Sequence, residues 1–164
     1  MSTENLNFKM GISGTFWDRR PQYKITLNEK IIAEGEIKGA SGEIEYHDFA
    51  VELDEGSHTI ALHFLNKSDD QTVKDPESTD DNLIIAKDML LKIESLEVDG
   101  IHMPVGADYG NDIDYGVYKI NQPVPYYQGK ENITELRGIT NMGWNGRYEI
   151  PFTTPFYIWL LETL

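Results

Sequence analysis

Apolar and polar residues alternate along several short stretches of the chain, and turn-forming residues separate these stretches. Residues 6–12, 22–27, 58–64, 89–98 and 148–152 place apolar side chains at every second position. This is the period of a β-strand with one buried face. Many short alternating stretches between turn signals are typical of an all-β protein. The pattern predicts an antiparallel, jelly-roll-like β-sandwich that forms a single domain over residues 1–164.

The apolar phase of these stretches predicts the core. Its main members are Phe8, Ile25, Leu62, Phe64, Leu91, Ile93 and Phe152. The alternation slips by one residue near His47–Asp48 and again near Glu94–Ser95, and an extra residue in one strand produces such a slip. We therefore expect a β-bulge at each place.

Turn signals predict how the strands connect. Residues 28–30 are expected to close a hairpin, residues 54–57 form another turn, and Asn145–Gly146 is the strongest short hairpin signal in the chain. Near the C-terminus, Thr154–Pro155 has the composition of a helix start. A short C-terminal helix with Trp159 in the core and a buried final strand both fit this segment.

Two long connections interrupt the strand pattern: an acidic loop at residues 66–82 and a tyrosine-rich excursion at residues 105–132. Connections of this length in compact domains are usually functional or disordered. Aromatic rings with a polar tip suit protein interfaces and sugar stacking, although they can also cover a flank of the sandwich. Tyr126 and Tyr127 are the expected anchors. The predicted partner or glycan contacts are Trp17, Tyr109, Tyr115, Tyr118, Tyr126, Tyr127 and Trp144.

The charge balance restricts the class of partner. The 164 residues include 28 acidic and 14 basic side chains, which gives a formal net charge of −14. Such a surface repels phosphate backbones and anionic membranes. We therefore expect no nucleic-acid or membrane partner, and we expect protein partners to carry basic patches. No secretion signal or apolar run long enough for a bilayer is visible, and the absence of cysteine rules out disulfides.

The acidic loop is the candidate metal site. Calcium takes six to eight oxygen ligands. Asp80 and Asp81 are the predicted ligands, and the sequence indicates no cofactor besides calcium. The spacing is not that of a helix–loop–helix calcium site. A solvated or partner-facing loop remains the alternative, and the same applies to Asp108, Asp112 and Asp114.

Signals of catalysis are weak. The chain has four scattered histidines, and His58 and His63 fall on opposite faces of one predicted strand. No nucleophile elbow and no phosphate-binding glycine loop occurs. We therefore predict a non-enzymatic protein without catalytic residues.

Four segments of the chain resemble small proteins encoded by tailed phages of marine bacteria, the cyanophage type in particular. They are "FWDRRPQYKITLN", "ELDEGSHTIALHFLNKSDDQTV", "NLIIAKDMLLKIESLEVDGI" and "NMGWNGRYEIPFTTPFYIWLLETL". The resemblance covers most of the chain and excludes residues 106–132. It implies a viral structural or accessory protein that is made in the host cytoplasm and located in the virion. Such a protein would decorate the capsid or tail through contacts with other virion proteins or with copies of itself.

A second, local resemblance concerns the middle of the chain. Phe64-Leu65-Asn66, Asp80-Asp81-Asn82-Leu83 and Val98-Asp99-Gly100 are similar to a pattern in the β-sandwiches of calcium-dependent carbohydrate-binding modules. This resemblance implies the alternative function, a calcium-assisted carbohydrate-binding module for adhesion to host or surface glycans.

Overall fold

A computed structural model describes residues 2–79, 81–105, 116–125 and 132–163. It shows an antiparallel β-sandwich of two large sheets, with one short helix near the C-terminus. The predicted fold class is therefore confirmed. Among the described residues, no helix is both long and apolar enough to cross a membrane.

The first sheet is organised around strand β1, Thr3–Thr15. It pairs on one side with β4, Glu45–Asp54, and on the other with β8, Leu90–Val98. The short strands β9, Ile101–Met103, and β12, Asn141–Met142, both pair with β8 at different positions along it.

The second sheet has six strands, and its centre is formed by neighbouring strands from distant parts of the sequence. In spatial order it contains β11 (Asn132–Arg137), β10 (Val117–Pro125), β13 (Gly146–Thr154), β5 (Gly56–Phe64), β2 (Gln22–Leu27) and β3 (Lys30–Glu36).

The remaining elements lie outside the two large sheets. A 3-10 turn, Asp69–Gln71, precedes a two-stranded hairpin of β6, Val73–Lys74, and β7, Ile85–Lys87. Helix α1, Phe156–Thr163, follows β13, so the helical alternative for the C-terminus is correct. Its first N–H, on Phe156, donates to Glu4 Oε1 on β1 at 2.9 Å.

The core lies between the inner faces of the two sheets and contains every residue predicted for it. Phe8 of the first sheet stacks on Phe49 with ring centroids 5.2 Å apart and lies 5.9 Å from the ring of Phe152 in the second sheet. Trp159 of helix α1 is half-buried and packs against the same core. The alternation of apolar residues therefore assigned the inner face correctly.

The predicted bulge in β8 is confirmed. Gly11 of β1 pairs with Ser95, whereas the next residue, Ile12, pairs with Ile93. Glu94 is thus the extra residue that produces the slip in the pattern.

The predicted bulge in β4 is wrong. His47 and Asp48 pair with Met10 and Lys9 in an unbroken register. Tyr46 is an exposed aromatic residue on the outer face, with 54% of its surface accessible. The apparent slip arose because an outward-facing ring was counted as part of the core.

Of the two predicted hairpin turns, one is confirmed. Asn28 and Glu29 have φ angles of 52° and 67° and connect the paired strands β2 and β3. The hairpin at Asn145–Gly146 is wrong, because β12 belongs to the first sheet and β13 to the second. That segment instead crosses between the sheets.

Candidate functional site

A row of polar side chains crosses the outer face of the second sheet. Lys24 of β2 is opposite His63 of β5, His63 is opposite Arg147 of β13, and Arg147 is opposite Lys119 of β10. Side chains alternate between the two faces of a strand, and the neighbours of these four residues fill the core. We call Lys24, His63, Arg147 and Lys119 the outer row.

The outer row lines the middle of a groove. Three adjoining depressions, here called the outer groove, have volumes of about 350, 430 and 290 Å³. The central one contains the outer row and Glu29, and it shares Leu65 with the depression toward β3. It shares Asn121 with the third depression, which lies at the end of β10. The third depression is lined by Lys67, Asp69, Ile120, Asn121, Gln122, Pro123, Val124, Trp144 and Asn145.

A glycine allows β10 and β13 to approach closely inside the groove. A Cβ atom on Gly146 would lie only 2.2 Å from the carbonyl oxygen of Lys119. Since real contacts are never this short, any other residue would push the two strands apart. Gly146 therefore keeps Lys119 next to Arg147 in the outer row.

Ion pairs hold two of the four members of the outer row in place. Arg147 Nη1 lies 2.9 Å from Glu29 Oε1, and Arg147 Nε lies 3.5 Å from Glu149 Oε2. Lys119 Nζ lies 2.5 Å from the other carboxylate oxygen of Glu149. Within the described part of the chain, Lys24 makes no ion pair. The groove thus offers one ammonium group without a counterion.

His63 lies beneath these charges. Its side chain is only 8% exposed, and its Nε2 atom lies 2.9 Å from Thr26 Oγ1. Burial, together with the positive charges of Lys24 and Arg147, lowers the pKa of His63 from its usual 6.5 to about 4. The imidazole is therefore neutral at neutral pH.

Hydrogen bonds fix the chain at the β10 end of the groove. The amide side chain of Asn145 accepts from Lys67 N at 2.6 Å and donates to Lys67 O at 2.9 Å. The main-chain carbonyl of Asn145 accepts from Asn121 N at 3.0 Å. The buried hydroxyl of Tyr118 accepts from Trp144 N at 2.9 Å and donates to Trp144 O. We call these two hydrogen bonds the clamp on Trp144. Burial raises the pKa of Tyr118, so its hydroxyl stays protonated and can donate to Trp144 O.

Two exposed amide side chains lie beside this fixed turn. Asn121 and Gln122 line the third depression together with the half-buried indole of Trp144. Among the described residues, neither side-chain amide has a hydrogen-bond partner. Each amide presents two donors and one acceptor, and an indole offers a flat apolar surface. This arrangement can bind a ligand that carries both hydroxyl groups and an apolar face.

The predicted contact residues fall into four groups. Trp144 lines the outer groove, and its contact with a partner or glycan stays a prediction. Trp17 is 42% exposed but lies at the acidic loop, where its indole N–H donates to Gln71 O at 2.9 Å. Tyr118 is fully buried, so we correct its assignment from a contact residue to the clamp on Trp144. The remaining four, Tyr109, Tyr115, Tyr126 and Tyr127, lie outside the described residues.

The acidic loop is attached to the sandwich through basic side chains. Arg19 Nη2 lies 2.8 Å from Asp70 Oδ1 and 2.9 Å from Ser68 Oγ. The hydrogen bond from Ser68, with a further contribution from Arg19, holds the pKa of Asp70 below its usual range. Lys67, whose side chain is 8% exposed, places Nζ 2.5 Å from Asp88 Oδ1. Arg19 therefore neutralises one carboxylate of the loop, and Lys67 attaches the loop to Asp88 outside it.

These contacts do not fit a calcium ion. Among the described residues, no group of three or more Asp, Glu, His or Cys side chains converges. The carboxylate of Asp88 is already bonded by Lys67 Nζ and by Thr72 Oγ1 at 2.7 Å. Asp81 is an exposed residue, and Asp80 lies outside the described residues. Calcium binding at Asp80 and Asp81 stays a prediction.

A second cluster of titratable groups connects β4 of the first sheet to β2 of the second. His47 Nε2 of β4 lies 3.1 Å from the hydroxyl of Tyr23 on β2 and 2.9 Å from Glu45 Oε2. Burial, together with the charge of Glu45, raises the pKa of Tyr23 to about 12. A phenol that resists ionisation is a poor base or nucleophile, so we assign this cluster to sheet packing.

Comparison with known proteins gives limited matches. No family model and no curated protein sequence matches this chain. Two solved structures of calcium-dependent carbohydrate-binding modules are similar to it. One is "vCBM60 in complex with galactobiose", with a TM-score of 0.48 and 8% identity over 88% of this chain and 96% of that chain. The other is the selenomethionine form of vCBM60, with a TM-score of 0.47 and 9% identity over 88% of this chain and 89% of that chain. Neither comparison bears on the predicted phage resemblance.

Proposed function

We propose that this protein is a non-enzymatic binding module that holds a glycan in the outer groove. The observation that supports this proposal is the set of exposed Asn121 and Gln122 amides beside the half-buried indole of Trp144. Sugar rings have hydroxyl groups at their edges and C–H groups on their faces. Amides bond such hydroxyls, and an indole packs against such faces.

The length of the groove supports a chain-like ligand. Its three depressions extend from β3 across β2, β5 and β13 to β10. Neighbouring strands are about 4.8 Å apart, so five strands span roughly 19 Å. A groove of this length and open shape suits an oligosaccharide better than a single sugar.

A glycan array followed by calorimetry of the positive ligands tests the proposal. The double variant Asn121→Ala with Gln122→Ala removes two exposed amides and should leave folding intact. A neutral hydrogen bond contributes about 0.5–1.5 kcal/mol, so loss of two should weaken binding roughly tenfold.

The matched control removes an exposed aromatic ring from the opposite side of the sandwich. Tyr46 lies on the outer face of the first sheet, and Tyr46→Ala should leave glycan affinity unchanged. Absence of any glycan binding by the folded parent protein, or equal losses in Tyr46→Ala and the amide variant, contradicts the proposal.

A second candidate function is the predicted role as a virion component that acts through protein contacts. Three consecutive apolar residues at the β6–β7 hairpin, Leu83, Ile84 and Ile85, are 46%, 37% and 39% exposed. Runs of exposed apolar residues are otherwise avoided, and exposed apolar surface often marks protein contacts. The surrounding carboxylates favour a partner with a basic rim.

Incorporation into phage particles tests this second candidate. Leu83→Ser with Ile85→Ser should lower the amount of protein that co-purifies with particles and leave its thermal stability and glycan affinity unchanged. Undiminished incorporation of this variant contradicts docking through the hairpin.

A further inference from the structure

We infer that the central depression of the outer groove selects acidic glycans by binding carboxylate or sulfate substituents with Lys24, Lys119 and Arg147. This inference rests on the proposed glycan-binding function and adds the chemical class of the ligand. It also assigns the substituent to the middle of the groove, between the amides at one end and strand β3 at the other.

The first argument is the local charge. The chain contains 28 acidic and 14 basic side chains, so carboxylates outnumber cations two to one. The central depression reverses this ratio: among the described residues three cations line it, against Glu29 at its surface and Glu149 behind it, which leaves a net charge of +1 (three minus two). Positive charge is thus concentrated at one point of an otherwise acidic surface, and over such short distances the local charges dominate.

The second argument is the state of Lys24. It lies in the groove between β3 and His63 and makes no ion pair with any described residue. It is opposite Glu34 in the β2–β3 pairing, yet the two side chains do not form a salt bridge. An ammonium group without a counterion, in a depression that is partly shielded from water, gains more from an anionic ligand than an already paired group would.

The third argument is that Arg147 already binds a carboxylate at the groove surface. The carboxylate of Glu29 lies 2.9 Å from Arg147 Nη1, and the Glu29 side chain is 74% exposed. An incoming carboxylate or sulfate can replace it, because an exposed ion pair contributes little to stability. Glu149 is only 13% exposed and stays behind, where it orients Arg147 Nε and Lys119 Nζ.

The two ends of the groove define the register of the ligand. Glu34 and Glu36 line the depression toward β3, and their charges disfavour an acidic substituent there. Asn121 and Gln122 at the other end are uncharged. A bound glycan therefore places its acidic substituent at the centre and its hydroxyl groups at the amide end.

Paired ligands that differ only in charge test the inference. Calorimetry would compare galacturonate oligomers with their methyl esters, and sulfated galactose oligomers with the desulfated forms. We expect at least one acidic oligomer to bind about tenfold more tightly than its neutral form, and this preference to shrink as salt is raised. The two pairs also distinguish carboxylate from sulfate as the substituent.

Variants that change the charge of single groove residues test whether the preference for acidic glycans arises in the groove. Lys24→Gln and Lys119→Gln should each remove most of the preference for the acidic form, measured as the ratio of the Kd of the neutral form to the Kd of the acidic form. Glu29→Gln should increase affinity for the acidic form several-fold, because it removes the carboxylate that competes for Arg147. The control is Lys9→Gln, which makes the same change in net charge on the outer face of the first sheet.

The outcomes separate this inference from the proposed function. Neutral and acidic forms that bind equally, or acidic binding that strengthens with salt, overturn the acidic preference and leave glycan binding standing. Equal effects of Lys9→Gln and Lys24→Gln overturn the assignment to the groove. Failure of every neutral and acidic oligomer to bind overturns the proposed function itself.

Discussion

Stability between pH 7 and pH 4 depends on His63, and the substitution His63→Gln isolates its contribution. A glutamine stays uncharged over this range and can still form a hydrogen bond with Thr26 Oγ1. In the parent protein, the pKa of His63 falls from its usual 6.5 to about 4 on folding. As the pH falls through this window, the unfolded chain binds a proton before the folded chain does. Acid therefore destabilises the parent protein.

The size of this effect follows from the pKa shift. One pKa unit corresponds to 1.36 kcal/mol, and part of the shift comes from Lys24 and Arg147, whose charges are screened by solvent. We expect the parent to lose about 2–3 kcal/mol of unfolding free energy between pH 7 and pH 4 through His63 alone. The loss starts near pH 6.5, and its steepest slope is about 1.4 kcal/mol per pH unit.

Urea denaturation of the parent and of His63→Gln at pH 7, 6, 5 and 4.5 measures this contribution. Carboxylates such as Asp70, whose pKa is also lowered, make both proteins less stable in acid. Their effect cancels in the difference between the two curves. Parallel stability curves, or an NMR titration of the His63 ring with a midpoint near 6.5, would refute the reasoning.

Three further predictions follow from the site. Tyr118→Phe removes both hydrogen bonds to the Trp144 main chain and should cost roughly 1–3 kcal/mol in thermal denaturation; an unchanged melting temperature contradicts the clamp. Lys67→Met leaves the carboxylate of Asp88 without its counterion and should cost roughly 2 kcal/mol, less than for a fully buried pair, and adding Asp88→Asn should recover part of this loss. A chelator should leave the melting temperature unchanged. If calcium at a hundredfold excess over its Kd instead raised the unfolding free energy by about 2.7 kcal/mol, a metal site would be established.

The sequence contained enough information to predict the faces of the strands. Burial acts on each residue locally, so the alternation in β5 identified Leu62 and Phe64 as core and placed His63 on the outer face. The same rule failed in β4, because Tyr46 is an aromatic residue that faces solvent. The period of two reports which residues share a face, but it cannot tell which of two faces is buried when both carry apolar groups.

The outer row was not predicted, for a different reason. Each member lies on the polar phase of a predicted strand, so the signal for an outward position was present. Lys24 and Arg147, however, come within reach of one another only because β2, β5 and β13 are neighbours in the sheet. Strand order depends on contacts between distant segments, which no local pattern encodes. The failed hairpin at Asn145–Gly146 has the same origin, since its local turn signal was correct but its strands join different sheets.

The acidic loop carries a local sequence signal and also makes contacts with distant segments that this signal does not predict. Its composition indicated a metal site or a solvated connection. In the structure, Arg19 pairs with Asp70 in the loop, and Lys67 of the loop pairs with Asp88 outside it. The main chain of Lys67 is bonded in turn by the side chain of Asn145, and the main-chain carbonyl of Asn145 accepts from Asn121 N on β10. The loop is therefore part of the support for the amide end of the outer groove. Lys67 bonds to Asp88 and also lines the groove. A change at Asp88 should therefore alter ligand affinity in the groove, even though the Asp88 side chain does not line the groove.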